Sequence, residues 1–141
     1  MAEIYTYGKR SYYPHMKPAD IAIWERFITI NPGAYETVQY DVLVGSGPGF
    51  DTTVNPESGG NVEALYKRKI DVVAEKAGQL YIIEVKPRAG TSAIGQLLGY
   101  LELYKRDVKP ASEPKAILLT DTLLPDMTML AEKYGVKLII V

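Results

Sequence analysis

The segment from Lys69 to Tyr104, KIDVVAEKAGQLYIIEVKPRAGTSAIGQLLGYLELY, constrains the fold more than any other stretch of the chain. Two short runs rich in Ile and Val flank Ala77-Gly78-Gln79, the pattern of strand, tight turn and strand. After Pro87 and Gly90, Ile94, Leu97, Leu98 and Leu101 recur at helical spacing, and Thr91 or Ser92 suits the N-cap. Alternation in the second strand puts Leu80, Ile82, Glu84 and Lys86 on one face and Tyr81, Ile83 and Val85 on the other. A carboxylate and an ammonium thus end an otherwise apolar row. Asp71 breaks the run of Ile70, Val72 and Val73 in the same way. Unpaired buried charges are costly, so these groups need one another, a metal ion, or solvent at a cleft. The hairpin lets Asp71 and Glu84 lie side by side.

The remaining chain supplies the frame around that hairpin. Pro18 to Ile30 reads as a helix with Pro in its first turn and Asn31-Pro32-Gly33 as its stop. Its apolar stripe is Ile21, Trp24 and Ile28. Glu25 falls within that stripe, where a surface glutamate is out of place, and is expected to point into the cleft. Tyr35 to Gly45 alternates as a strand, and Ser46 to Gly60 is a glycine- and proline-rich loop, expected to be the most mobile internal segment. Lys67, Arg68 and Lys69 alternate just before Asp71, so at least one of them faces the cleft and can touch phosphate. Lys105 to Pro114 is a polar linker. Lys115 to Thr120 is a buried strand, Asp126 to Tyr134 a short helix, and Val136 to Val141 a last strand. This βαβ ending adds parallel strands to the antiparallel hairpin.

The pattern Asp71, then Glu84-Val85-Lys86, resembles the core of the PD-(D/E)XK nuclease superfamily, with Ile70 where the name-giving proline would stand. Gln96 and Tyr100 are similar to the Q-x-x-x-Y element of its RecB-like and lambda-exonuclease-like branch, and four residues apart they share a helical face. The Glu-Val-Lys strand and small size also resemble archaeal Holliday-junction resolvases. The resemblance implies an α/β fold of restriction-endonuclease type: a mixed sheet flanked by helices, with an αβββαβ core. It implies a DNA nuclease dependent on Mg²⁺ or Mn²⁺, in phage or mobile-element DNA processing. Asp71, Glu84, the Val85 carbonyl and Glu25 would be metal ligands. Lys86 and Gln96 would join Asp71, Glu84 and Glu25 in catalysis, while Lys67, Arg68, Lys69, Arg88 and Tyr100 would meet the nucleic acid. A non-catalytic subunit of the same fold, holding DNA ends within a larger assembly, is the alternative; endonuclease and exonuclease modes both stay open.

Composition bounds these readings. At 141 residues the chain is long enough for one cored domain, expected over residues 18–141. Residues 1–17 form an arm in which Tyr5, Tyr7, Tyr12 and Tyr13 interleave with Lys9, Arg10 and Lys17. Such tyrosines either stack on bases or pack against the domain. His15, the only histidine, is expected to be exposed or to cap an element. The absence of cysteine excludes disulfides, thiol nucleophiles and Cys-bound iron–sulfur clusters, and fits a cytoplasmic setting, that of a host if the chain is phage-encoded. No apolar run reaches membrane-spanning length, and the N-terminus lacks a secretory h-region. The formal net charge of −1 is low for a nucleic-acid binder, but part of the acidity would be neutralised by a bound cation. Self-association, or assembly with other proteins, is compatible with this surface.

Overall fold

The computed structural model of the protein describes residues 2–46 and 68–141. The loop expected over 46–60, apart from Ser46, and Lys67 lie outside the described residues. Among the described residues, six strands and three helices follow one another as β1 (Ile4–Thr6), α1 (Pro18–Ile30), β2 (Thr37–Val44), β3 (Arg68–Lys76), β4 (Gln79–Val85), α2 (Thr91–Val108), β5 (Lys115–Thr120), α3 (Met127–Lys133) and β6 (Val136–Ile140). The strands form one sheet in sequence order. Pairing is antiparallel from β1 to β4 and parallel from β4 to β6. This is the mixed α/β architecture that the hairpin and the βαβ ending imply.

The two faces of the sheet carry separate cores. Ile82, Leu118 and Val136 pack with Ile94 and Leu97 of α2 and Met127 and Ala131 of α3. On the other face Val72, Ile83 and Leu119 pack with Ile23, Trp24, Phe27 and Ile28 of α1. Burial of both faces explains why β4 and β5 read as nearly continuous apolar runs. Inside the second core the Trp24 indole N–H donates to the Tyr40 hydroxyl at 2.9 Å, which satisfies a polar atom that burial would otherwise leave costly.

The β3–β4 turn uses two residues, Ala77 and Gly78, both at positive φ (50° and 80°), as the strand twist requires of a two-residue hairpin. Ala77 is an unusual occupant of that conformation. Its N–H donates to Glu36 Oε1 at 2.8 Å, which anchors the turn from β2's approach.

The N-terminal segment belongs to the fold. β1 pairs with β2, Tyr13 is buried, and Tyr5 and Tyr7 pack beside it on the α1 core. Arg10 sits 3.8 Å over the Tyr5 ring, a cation–π contact. Of the four tyrosines in the arm, Tyr12 is the fully exposed one. Three of the rings therefore serve packing rather than base stacking.

Local boundaries differ in three places. α2 begins at Thr91 with Gly90 as N-cap and no side-chain cap. It also runs on to Val108, through what the sequence suggests as linker, ending at Lys109 in the left-handed conformation. Lys105 and Arg106 in its last turn oppose the helix dipole, so their polarity favours the helix rather than ending it. α3 is trimmed to Met127–Lys133, with Asp126 at its N-cap. Among the described residues no helix is long and apolar enough to cross a membrane.

Candidate active site

The β3–β4 ladder runs from Lys76–Gln79 to Val72–Ile83 and then stops. One further step in that register sets Asp71 opposite Glu84. In the β2–β3 ladder the pairs Tyr40–Val72 and Val42–Ile70 likewise leave Asp41 opposite Asp71. Three carboxylates thus form a row across three adjacent strands, at the level where the backbone pairing lapses. Asp41 has φ of 54°, a strained value for a residue with a side chain, which takes it out of the ladder. On β3 the lost ladder bond is replaced by a side chain: Val85 N–H donates to Asp71 Oδ2 at 2.9 Å. The Asp71 carboxylate is fixed in place by β4's own backbone.

A cleft of about 520 Å³ opens over this row. Asp20 of α1 joins Asp41, Asp71 and Glu84 on its acidic side, while Lys17, Lys69 and Lys86 supply positive charge. His15 completes the rim, with Nε2 3.4 Å from Asp41 Oδ2. Glu84 is the most perturbed group. Burial, then its hydrogen bond and charge contact with Asp71, push its carboxyl to about 10, against a smaller downward pull from Lys86. That direction favours the neutral acid in the metal-free site. Its Oε2 is buried without a hydrogen-bond partner. An orphaned oxygen of this kind is costly unless another group binds it. Asp20 is raised as well, first by burial and then by Asp71.

Residues 64–140, just over half of the chain, match the family of the endonuclease NucS C-terminal domain. The chain belongs to that family. The matched span carries Asp71, Glu84, Lys86, Gln96 and Tyr100 together, so the resemblance to nucleases holds at the level of a NucS-type domain, without selecting the RecB-like branch. Two solved structures share the fold. One is the crystal structure of a protein of unknown function, AF1548, at 19% identity and TM-score 0.52, covering 80% of this chain and 53% of that one. The other is an EndoMS–dsDNA complex, at 18% identity and TM-score 0.50, covering 94% of this chain and 49% of that one. The chain thus spans about half the length of the structures it matches. No curated protein matches the sequence significantly.

Within this NucS-type domain the sequence-derived site residues do not all gather at the cleft. Asp71, Glu84, Val85, Lys86 and Lys69 all line the cleft. Tyr100 lies close enough that, after burial, the charges of Glu84 and Asp71 raise its hydroxyl and Arg68 lowers it. Gln96, one helical turn before it, is exposed and is not among the cleft-lining residues. Arg68 and Arg88 are exposed, next in sequence to the cleft-lining Lys69 and Pro87, and Lys67 lies outside the described residues.

Glu25 is the correction. It does not line the cleft; it accepts a 2.7 Å hydrogen bond from the Tyr13 hydroxyl. The buried stripe of α1 is Ile23, Trp24, Phe27 and Ile28, rotated from the one that the sequence suggests. Asp20 stands at i−3, i−4 and i−7 from Ile23, Trp24 and Phe27, so the helix aims it at the sheet's end. The spacing was a usable signal for Asp20. Asp41 and His15 had none, because their placement depends on strand register and on an arm without periodicity.

Proposed function

We propose that the chain is a metal-dependent nuclease hydrolysing DNA phosphodiesters in the Asp71–Glu84–Lys86 cleft. The observation that carries this reading is the buried, partnerless Oε2 of Glu84 beside the backbone-anchored carboxylate of Asp71. Such a pair offers two hard oxygen ligands to a divalent ion. No tight cluster of three His, Asp or Glu ligands exists among the described residues. Mg²⁺ and Mn²⁺ take one or two carboxylates and fill their other positions with water and substrate phosphate. Asp71 and Glu84 would hold the ion with the Val85 carbonyl, and Asp20 would receive one of its waters. A bound ion of this type polarises phosphate and supplies a water of lowered pKa.

The protein's own groups do the rest. Lys86, at the end of the strand that carries Glu84, faces charge that develops on the phosphate. Its compact ammonium also offsets the crowding of carboxylates. Lys69 lines the cleft, and the exposed Arg68 and Arg88 adjoin cleft-lining residues in sequence, so all three suit backbone phosphates; Tyr100 feels the charges of the carboxylates from α2. Gln96 would act on the substrate only once DNA reaches α2, as its exposure requires. DNA as the substrate is supported by the NucS family match and by the duplex in the EndoMS complex.

The test is cleavage of linear, nicked and branched DNA with Mg²⁺, with Mn²⁺ and with EDTA, comparing the wild type with Asp71→Asn. Ion-dependent cleavage lost in Asp71→Asn supports the proposal. DNA binding without cleavage by the wild type in either ion overturns it and makes the chain a DNA-holding subunit.

A further inference from the structure

Beyond the cleft, β5's last residues grip the loop that follows β4. Lys86 N–H donates to the Leu119 carbonyl at 3.0 Å, Arg88 N–H to Asp121 Oδ1 at 2.9 Å, and Ala89 N–H to Thr120 Oγ1 at 3.1 Å. Every residue from Lys86 to Ala89 that has an N–H is thus held by one of three consecutive residues, Leu119 and Thr120 of β5 and Asp121 just after it; Pro87 has none to give. Thr120 is the one buried polar residue among those described. The Asp121 carboxyl is held below its ordinary range chiefly by the Arg88 N–H, then by the Thr122 hydroxyl. Arg88 itself has φ of 46°, a left-handed conformation that a side chain makes unfavourable. It persists where the surroundings over-determine it, and here three bonds do so.

From this geometry we infer that Thr120 and Asp121 are positioning residues: they form a ledge that holds the Lys86–Ala89 loop so that the Lys86 ammonium faces the cleft and Arg88 stands at its mouth. Neither touches the carboxylates. The tightness of the loop matters because small misplacement of a charge that acts on the reacting phosphate is expensive in rate. The inference rests on the nuclease reading for its effect on rate, but not for the ledge itself.

The experiment uses the full chain and two readouts. Amide hydrogen exchange of Arg88 and Ala89 reports the ledge without reference to activity. Mn²⁺-dependent cleavage of duplex DNA, resolved into kcat and KM, reports its consequence. Asp121→Asn keeps the Oδ1 acceptor and Thr120→Ser keeps the hydroxyl, whereas Asp121→Ala and Thr120→Val remove them. Expected are faster Arg88 exchange and about a tenfold lower kcat in Asp121→Ala, the worth of one hydrogen bond to a charged group, with near-complete recovery in Asp121→Asn. Thr120→Val should release Ala89 in the same way and Thr120→Ser should restore it; Asp121→Ala, at an exposed site, keeps the test open if Thr120→Val fails to fold. Equal exchange in all variants overturns the ledge. Released amides with a wild-type kcat overturn its positioning role. If the wild type cleaves nothing, the nuclease reading falls and the positioning role with it, and the exchange data alone decide whether the ledge exists.

Discussion

Glu84→Gln in the metal-free protein is the most direct probe of the site. In the folded chain the Glu84 carboxyl is raised from 4.5 to about 10, first by burial and then by Asp71. In the unfolded chain it ionises in the ordinary range. Between those two values the folded state holds a proton that the unfolded state has lost, so stability falls as pH rises. The contribution is fully present below the unfolded value and is lost as pH climbs toward the folded one. Its slope is at most about 1.4 kcal/mol per pH unit. From pH 6 to pH 8 the wild type in EDTA should therefore lose stability through this group, on the order of 2–3 kcal/mol at most. Glutamine keeps the shape and can still donate to Asp71, but it has nothing to titrate. Lys86 is exposed and stays solvated when its neighbour is neutral, so the substitution strands no buried charge. The expected result in urea titrations is a variant less stable than or equal to the wild type at pH 5, and more stable at pH 8. Adding Mn²⁺ should stabilise the wild type at pH 8 and leave the variant nearly unchanged, because ion binding replaces the proton. Stability curves for the two proteins that stay parallel from pH 5 to pH 9 would refute the assignment of Glu84 as a buried, proton-bearing ligand.

Three further outcomes are expected. Asp20→Asn should reduce ion-dependent DNA cleavage by about tenfold or more, since it removes an acid from the cleft, while Glu25→Gln should cleave within about twofold of wild type, since Gln still accepts from Tyr13; comparing initial rates of the two settles which acid α1 contributes. Lys86→Met should lower kcat by roughly a hundredfold, in the range of losing one transition-state donor, with a smaller change in KM; an unchanged kcat would remove Lys86 from the chemistry. Tyr40→Phe leaves the buried Trp24 N–H without its acceptor and should cost about 1–3 kcal/mol in urea unfolding, with cleavage retained; no loss of stability would mean that the indole finds another partner.

The sequence specifies the sheet well because its information is local there. The Lys69–Val85 hairpin has alternation, a glycine at the turn and β-branched runs, and each points to the same answer. The same alternation placed Glu84 and Lys86 beside the cleft, and hairpin register placed Asp71 opposite Glu84. Where the information is not local, the reading shifts. α1 has apolar residues at 21, 23, 24, 27, 28 and 30, enough to define two overlapping stripes. The choice between them is made by the sheet, which accepts Ile23 and Phe27 and leaves Ile21 at the margin. That rotation brings Asp20 rather than Glu25 to the cleft. The polar stretch after Tyr104 continues as helix for a comparable reason: basic residues suit a helix C-terminus as well as they suit a linker.

Asp41 shows why the rest of the site lies outside what one strand can reveal. Its neighbours Tyr40 and Val42 are buried, and its own position on β2 looks like an ordinary outward-facing acid. Only the register, Tyr40 with Val72 and Val42 with Ile70, sets it against Asp71. Asp41 and Asp71 are like charges directly opposite each other on paired strands, which disfavours close backbone pairing at that level. At that level the β2–β3 ladder skips a pair and the β3–β4 ladder stops, and Asp41 adopts a positive φ. The opening that results is the cleft, so the feature that weakens the sheet is the one that makes room for a ligand. A positive ion would remove the repulsion that holds the row apart. On this argument Asp41→Asn should stabilise the metal-free protein slightly, by up to about 1 kcal/mol, as Asp71 loses a like-charged neighbour. The gain should disappear when Mn²⁺ is present. Urea unfolding with and without the ion measures both quantities, and a gain of the same size in both conditions would show that the row is not held apart by charge.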